Sequence, residues 1–144
     1  MRGPNITPGY WRNEEATRAA FSADGWLLSG YLARRDSDGF FYIAGRRKEM
    51  FISGGENVYP AEVENVLSAH PAGVDAAVLG EPDPKWGEVG RAFVQLAGGA
   101  RPDCADLTAF CRQRLAPYKV PRRFEFVTEF PRTSAGKIQK HLLS

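Results

Sequence analysis

Apolar and polar positions along this chain follow two rhythms. Up to about residue 45 the apolar residues come in short bursts between turn residues. Residues 26–28 and 40–43 read as brief strands around Asp36-Ser37-Asp38-Gly39, with Asp24-Gly25 as a further turn. Ahead of them Asn13 can cap a short helix running to Phe21, with Glu14 and Glu15 in its first turn. One or two hairpins with exposed aromatics are marginal in water, so this stretch reads as a lead-in that leans on something else.

From Lys48 onward the pattern becomes regular. Met50, Phe51 and Ile52 suit a short buried strand, and Gly54-Gly55 lets the backbone turn through positive φ or approach a ligand closely. Ala61, Val63, Val66, Leu67 and Ala69 form the apolar face of a helix that Pro60 opens and His70-Pro71 closes. The continuous apolar run 74–79 predicts a strand buried on both faces, 81–87 a loop and 91–96 the next strand. Gly98-Gly99 and Pro102 break the chain before a helix capped by Asp103, which carries Leu107, Phe110, Cys111 and Leu115. Residues 124–127 form a third strand, and the loop 131–136 leads into a short final helix from Lys137. Helices interleaved with strands predict an α+β fold: a small three-stranded sheet covered by helices, preceded by a β-hairpin lead-in.

Composition narrows the picture. A chain of 144 residues is one ordinary domain, or a small domain carrying a piece of another. At 43% hydrophobic and 12% aromatic it can bury a core. The net charge of +2, with both signs interspersed, argues against a dedicated nucleic-acid surface. No apolar stretch approaches the ~20 residues that span a bilayer, and Met1-Arg2-Gly3-Pro4-Asn5 lacks the apolar core of a signal peptide. Cys104 and Cys111, on one helix, would lie about 10 Å apart, too far to bridge. His70 and His141 stand alone, without metal-ligand spacing. A cytoplasmic, metal-free protein is the expectation.

Three stretches carry candidate chemistry. The first is the run from Gly45-Arg46-Arg47-Lys48 through Ser53-Gly54-Gly55-Glu56-Asn57-Val58-Tyr59-Pro60 to Glu64. Taken alone it is a charged bend, a strand, a turn and a helix start. The second is Pro131-Arg132-Thr133-Ser134-Ala135-Gly136-Lys137-Ile138, whose small polar residues leave a mobile lysine. It is no phosphate loop of the Walker type, since Pro131 stands where a glycine is needed and Ile138 where a metal-binding hydroxyl is needed. The third is Trp86, a lone aromatic in a polar loop, together with the basic aromatic piece Tyr118-Lys119-Val120-Pro121-Arg122.

The order of residues in these stretches resembles the C-terminal domain of the AMP-forming acyl-CoA synthetases. This is the adenylate-forming superfamily shared with luciferase and peptide-synthetase adenylation domains. The segment Gly3-Pro4-Asn5-Ile6-Thr7-Pro8-Gly9-Tyr10-Trp11, with Asp24-Gly25-Trp26 and Ser29-Gly30, resembles the end of that family's large N-terminal domain. The resemblance covers essentially the whole chain. It implies that residues 1–46 are a remnant of the large domain and 47–144 the mobile C-terminal domain. The implied reaction joins carboxylate, ATP and CoA into acyl-CoA, AMP and diphosphate.

By the same resemblance, Lys137 contacts the carboxylate and α-phosphate during adenylation, where a compact ammonium neutralises oxygens gaining charge. Arg46 corresponds to the arginine that touches ribose and phosphate; its bland role is a surface salt bridge to Glu49 or Asp38. Lys48 matches the hinge about which the domain rotates. Gly54 and Gly55 match glycines lining the pantetheine tunnel, and Trp86, Tyr118, Lys119 and Arg122 the CoA contacts, although Val120 replaces one basic position. ATP and CoA are implied as substrates, with Mg2+ held mainly by the large domain, which is also the implied partner alongside a carboxylic acid. No nucleic acid and no transmembrane segment are expected.

The largest departure from the family is at residue 31. Its Thr-Gly-Asp motif, whose carboxylate accepts hydrogen bonds from both ribose hydroxyls of ATP, is Ser29-Gly30-Tyr31 here. A phenol offers one oxygen instead of a bidentate acceptor. Together with the missing phosphate loop and acyl pocket, Tyr31 leaves a second reading open: a stand-alone, non-catalytic binding or docking module on the same fold.

Overall fold

The computed structural model describes residues 1–72, 74–97 and 102–143, so the expected break at Gly98-Gly99 lies outside the described residues. The chain divides into two compact units, Met1–Ile43 and Ala44–Ser144.

In the first unit, helix α1 (Glu14–Ala20) forms where the capping pattern placed it. The Asn13 side chain accepts from the Ala16 N–H at 2.9 Å, and the Thr17 hydroxyl donates to the Asn13 carbonyl at 2.8 Å. Strand β1 (Tyr31–Arg35) pairs with β2 (Phe41–Arg46). The strand expected at 26–28 is reduced to a single bridge between Phe21 and Leu27. The turn explains the difference. The Asp36 N–H donates to the Phe40 carbonyl at 3.0 Å and the Asp36 carboxylate accepts from the Phe40 N–H at 2.9 Å. That closure fixes the partners of β2 as the residues just before Asp36.

The second unit is built on a sheet of five strands, against the three expected. Strands β5 (Val74–Asp83) and β6 (Gly87–Leu96) form a long antiparallel hairpin, in register from Val74↔Leu96 to Asp83↔Gly87. A short hairpin of β3 (Phe51–Ser53) and β4 (Glu56–Val58) joins β6 at Ser53↔Gly87, and β7 (Arg123–Phe126) runs parallel to β6 beside Arg91 to Val94. Because β5 fills one edge of β6 throughout, β3 and β7 share the other. Residues 81–83, expected in a loop, continue β5; its Pro82 is tolerated because β5 is an edge strand with no further neighbour to receive an N–H. Residues 56–58 are too short a run to carry an alternation, and only the Gly54-Gly55 turn creates that strand.

Both faces of the sheet are covered. Val74, Ala76 and Val78 with Ala92 and Val94 pack against Val63 and Leu67 of α2 (Pro60–Ser68) and Leu107 and Cys111 of α3 (Cys104–Arg112). A capping box between Asp103 and Asp106 starts α3. Both cysteines are free, and burial pushes the Cys111 thiol up to about 11. On the opposite face Ala77 and Phe93 meet Phe130, with Val127, Ile138 and Leu143 around them. This second small core overturns the expected helix from Lys137. Ile138 is drawn into it and pairs with Arg132, so 133–137 form a turn, and the only helical residues beyond, among the described residues, are a 3-10 turn, Lys140–Leu142.

The pair Gly80↔Gly90 lies under the Phe51 ring. A Cβ on Gly80 would stand 2.6 Å from Phe51 Cβ and 3.1 Å from Glu88 Oε1. Gly80→Ala is therefore expected to cost about 1–3 kcal/mol by overpacking, read as a lower denaturant midpoint at unchanged slope. An unaltered midpoint would show that Phe51 yields freely.

Candidate functional site

Lys137 and the group Gly54, Gly55, Trp86, Tyr118 and Arg122 lie at two ends of the β5–β6 hairpin. At the turn end, Asp83 Oδ1 accepts the N–H groups of Lys85 and Trp86, each at 2.8 Å, and so fixes the three residues that connect the strands. The Gly54 N–H donates to the Trp86 carbonyl at 2.9 Å. Gly54 and Gly55 have φ of 61° and 87°, as a tight hairpin turn requires. A Cβ on Gly54 would fall 2.7 Å from Trp86 Cε3. Glycine at 54 thus serves both the turn and the close approach of the indole.

Trp86 lines an open, apolar pocket of about 330 Å3 together with Ser53, Val89, Pro117, Tyr118, Val120 and Arg122. The Arg122 guanidinium and the Lys85 ammonium lie 5.8 and 5.2 Å from the Trp86 ring centroid, placing two cations by the apolar floor. A more polar hollow of about 350 Å3 shares Pro117, Val120 and Arg122 with this pocket and adds Thr108 and Arg112. Lys119 does not join them. Its ammonium holds both carboxylate oxygens of Glu62 on α2, at 2.7 and 2.8 Å. Lys85, Val89 and Ser53 were not singled out as site residues from the sequence, although Ser53 lies in the first candidate stretch. Only Lys85 carried a signal there, as a cation beside the expected loop tryptophan.

At the other end the Lys137 turn is braced. The Gly136 N–H donates to the Thr133 carbonyl and the Thr133 N–H to the Lys137 carbonyl, both at 2.8 Å, while the Lys137 N–H reaches Thr133 Oγ1 at 3.2 Å. Arg132 donates to the Gly136 carbonyl at 2.9 Å and pairs with Asp75 on β5. Phe130 and Ile138 anchor the two flanks in the second core. The loop 131–136 is therefore a braced turn that presents the lysine. Its Lys137 side chain is exposed and makes no hydrogen bond or ion pair among the described residues. Asp75 and Asp83, which hold the two ends, are eight residues apart on β5, or roughly 26 Å along an extended strand.

Arg46 ends β2, with Nη1 3.6 Å from Glu49 Oε1, which is the surface pair foreseen as its bland role. Lys48 is exposed in the turn that the Glu49 N–H closes on the Arg46 carbonyl at 3.1 Å. In the first unit, Tyr31 opens β1 half-exposed, its N–H 3.3 Å from Ser29 Oγ. Among the described residues no group of three or more His, Cys, Asp or Glu side chains could hold a metal ion. No helix among them is long and apolar enough to cross a membrane.

Residues 62–137 match the model of the AMP-binding enzyme C-terminal domain. The chain is 52% identical, over 99% of its length, to the 2-succinylbenzoate–CoA ligase of Geobacillus kaustophilus, covering 29% of that protein. It is 48% identical to the long-chain-fatty-acid–CoA ligase of Bacillus subtilis, over 99% of this chain and 25% of that protein. Its fold superposes with a TM-score of 0.92 on the o-succinylbenzoate CoA synthetase of Bacillus subtilis in complex with its acyl-adenylate intermediate. There the identity is 42%, over 99% of this chain and 29% of that one. The chain thus spans between a quarter and a third of the length of these relatives.

Proposed function

Since the chain belongs to the family of AMP-binding enzyme C-terminal domains, we propose that it is the C-terminal part of an AMP-forming acyl-CoA ligase. The reaction is carboxylate plus ATP to acyl-adenylate and diphosphate, followed by attack of the CoA thiolate to give acyl-CoA and AMP. Residues 1–46 then close the large domain and 47–144 form the mobile domain, turning at Lys48. The observation that carries the reading is the placement of Trp86 at the turn end of the β5–β6 hairpin and of the Lys137 turn at its open end, where Arg132 pairs with Asp75. A domain that rotates between half-reactions needs two chemically different ends, one for each.

In the first half-reaction, the exposed Lys137 ammonium sits against the carboxylate and α-phosphate oxygens and stabilises the charge that builds as diphosphate leaves. Arg46 adds a guanidinium for ribose and phosphate. In the second, the bare backbone of Gly54 and Gly55 and the apolar floor of Trp86 and Val120 receive the pantetheine arm, with Tyr118 beside them. Arg122 meets the nucleotide phosphates. Lys119, already neutralised by Glu62, acts by holding the 117–122 segment to α2. Mg2+ accompanies ATP on the large domain. The partner is the large domain of the same enzyme. The exposed Trp11, Phe40, Phe41 and Ile43 support that partner, as apolar surface needing cover. The substrate is a carboxylic acid and the compartment the cytoplasm.

Tyr31 favours the second reading, a non-catalytic docking module, because it lacks the bidentate acceptor for the ribose. A graft separates the two. The matching C-terminal quarter of one of the ligases named above is replaced by residues 1–144. The hybrid is expected to form acyl-CoA clearly above the large domain alone, while the isolated chain shows no carboxylate-dependent exchange of pyrophosphate into ATP. A folded hybrid no better than the large domain alone rejects the catalytic reading.

A further inference from the structure

Lys140 stands three residues beyond Lys137 and touches neither end of the hairpin described above. Its ammonium lies between two carboxylates from distant parts of the chain, 2.9 Å from Glu49 Oε2 and 2.7 Å from Glu64 Oε1. The site is largely enclosed, with the Lys140 and Glu64 side chains each only 19% exposed. Glu64, on α2, also accepts the Val78 N–H of the edge strand β5 at 2.8 Å. Glu49 closes the turn that contains Lys48 and lies 3.6 Å from Arg46. One cation therefore ties together the turn 46–49, helix α2, the sheet edge and the tail that carries Lys137.

We infer that Lys140 is a positioning residue, a clamp that fixes Glu49 to the body of the domain and confines the flexible joint to Arg46, Arg47 and Lys48. The inference deepens the reading of Lys48 as the hinge and rests on it. A rotation is accurate only if the residue after the joint moves with the domain, and Glu49 is that residue. The ammonium is what makes the arrangement possible. Without it two carboxylates confront each other in a poorly solvated space, and repulsion drives the 46–49 turn away from α2. A purely apolar contact would not reach all four segments at once.

The joint reports on itself, because Arg46-Arg47-Lys48 is a run of trypsin sites. Cleavage of a folded protein follows the population of locally open states. Limited trypsin digestion of the 144-residue chain is read by mass spectrometry as the rate after Arg47 and Lys48 relative to the rate after Arg12. Lys140→Met is expected to raise this ratio about tenfold, and Lys140→Arg to keep it near the wild-type value. Glu49→Gln, which leaves the Lys140–Glu64 pair intact, is expected to raise it too, and serves if Lys140→Met does not fold. Val94→Ala, a core change that removes no charge of the clamp, controls for general loss of stability. An unchanged ratio in Lys140→Met or Glu49→Gln overturns the clamp, as does an equal rise in Val94→Ala. The readout involves no catalysis, so its failure leaves the ligase reading standing, and a failed graft leaves the clamp standing.

Discussion

Lys137→Ala, in a grafted or full-length ligase, is expected to lower the rate of adenylation about 10²- to 10³-fold, the usual cost of removing one group aimed at developing charge. The same variant should convert a supplied acyl-adenylate to acyl-CoA at nearly the unmodified rate. The geometry supports both halves of this expectation. The ammonium projects from a turn whose backbone is closed by Thr133 and whose flank is held by Arg132 on Asp75, so its position owes nothing to the lysine side chain itself. Truncation should leave the turn intact and remove only the charge. Lys137→Arg should not restore the rate, because a planar fork is longer and differently directed than a compact ammonium. Trp86→Ala makes the converse case. It removes the wall of the apolar pocket and the support of the Gly54 turn, and should raise the CoA KM about tenfold while pyrophosphate exchange is untouched. Single-turnover thioester formation and pyrophosphate exchange, measured side by side, separate the two. If both substitutions slow the same half-reaction equally, the division between the two ends is wrong.

How much of this was legible beforehand follows the range of the interactions. Helix starts were readable because caps are local: Asn13 and Asp103 satisfy N–H groups three residues on. The turn at Gly54-Gly55 was readable for the same reason. The final helix was not, because 133–138 form a turn only once Phe130 and Ile138 find Ala77 and Phe93 on the far face of the sheet. Lys119 stands beside Tyr118 and Arg122 in sequence, but its ion-pair partner Glu62 is 57 residues away on another element and could not be read from that neighbourhood. The same holds for Lys140 between Glu49 and Glu64. Short motifs of small and turn residues announce chemistry well. Charged side chains announce it poorly, because pairing across the fold decides which of them still face a ligand.

Tyr31→Asp tests the largest departure from the motif that the resemblance implies. In a working ligase handicapped at this point, the new carboxylate should regain both ribose hydroxyls and lower the ATP KM. Two charge-assisted hydrogen bonds are worth roughly 2–4 kcal/mol, or about 30- to 1000-fold in kcat/KM. Tyr31 is the first residue of β1, its side chain half in solvent, and its backbone N–H is held by Ser29 Oγ whatever the side chain is. Tyr31 is no member of the main core, and denaturant midpoints of both forms, measured alongside, keep any loss of stability from disguising the gain. The measurement belongs in the hybrid or full-length protein, with ATP varied at saturating carboxylate and CoA. An unchanged ATP KM alongside healthy turnover rejects the handicap and means that another group already holds the ribose. Absence of turnover in both forms favours the docking module, since a site that a restored carboxylate cannot revive has lost more than one hydrogen-bond acceptor.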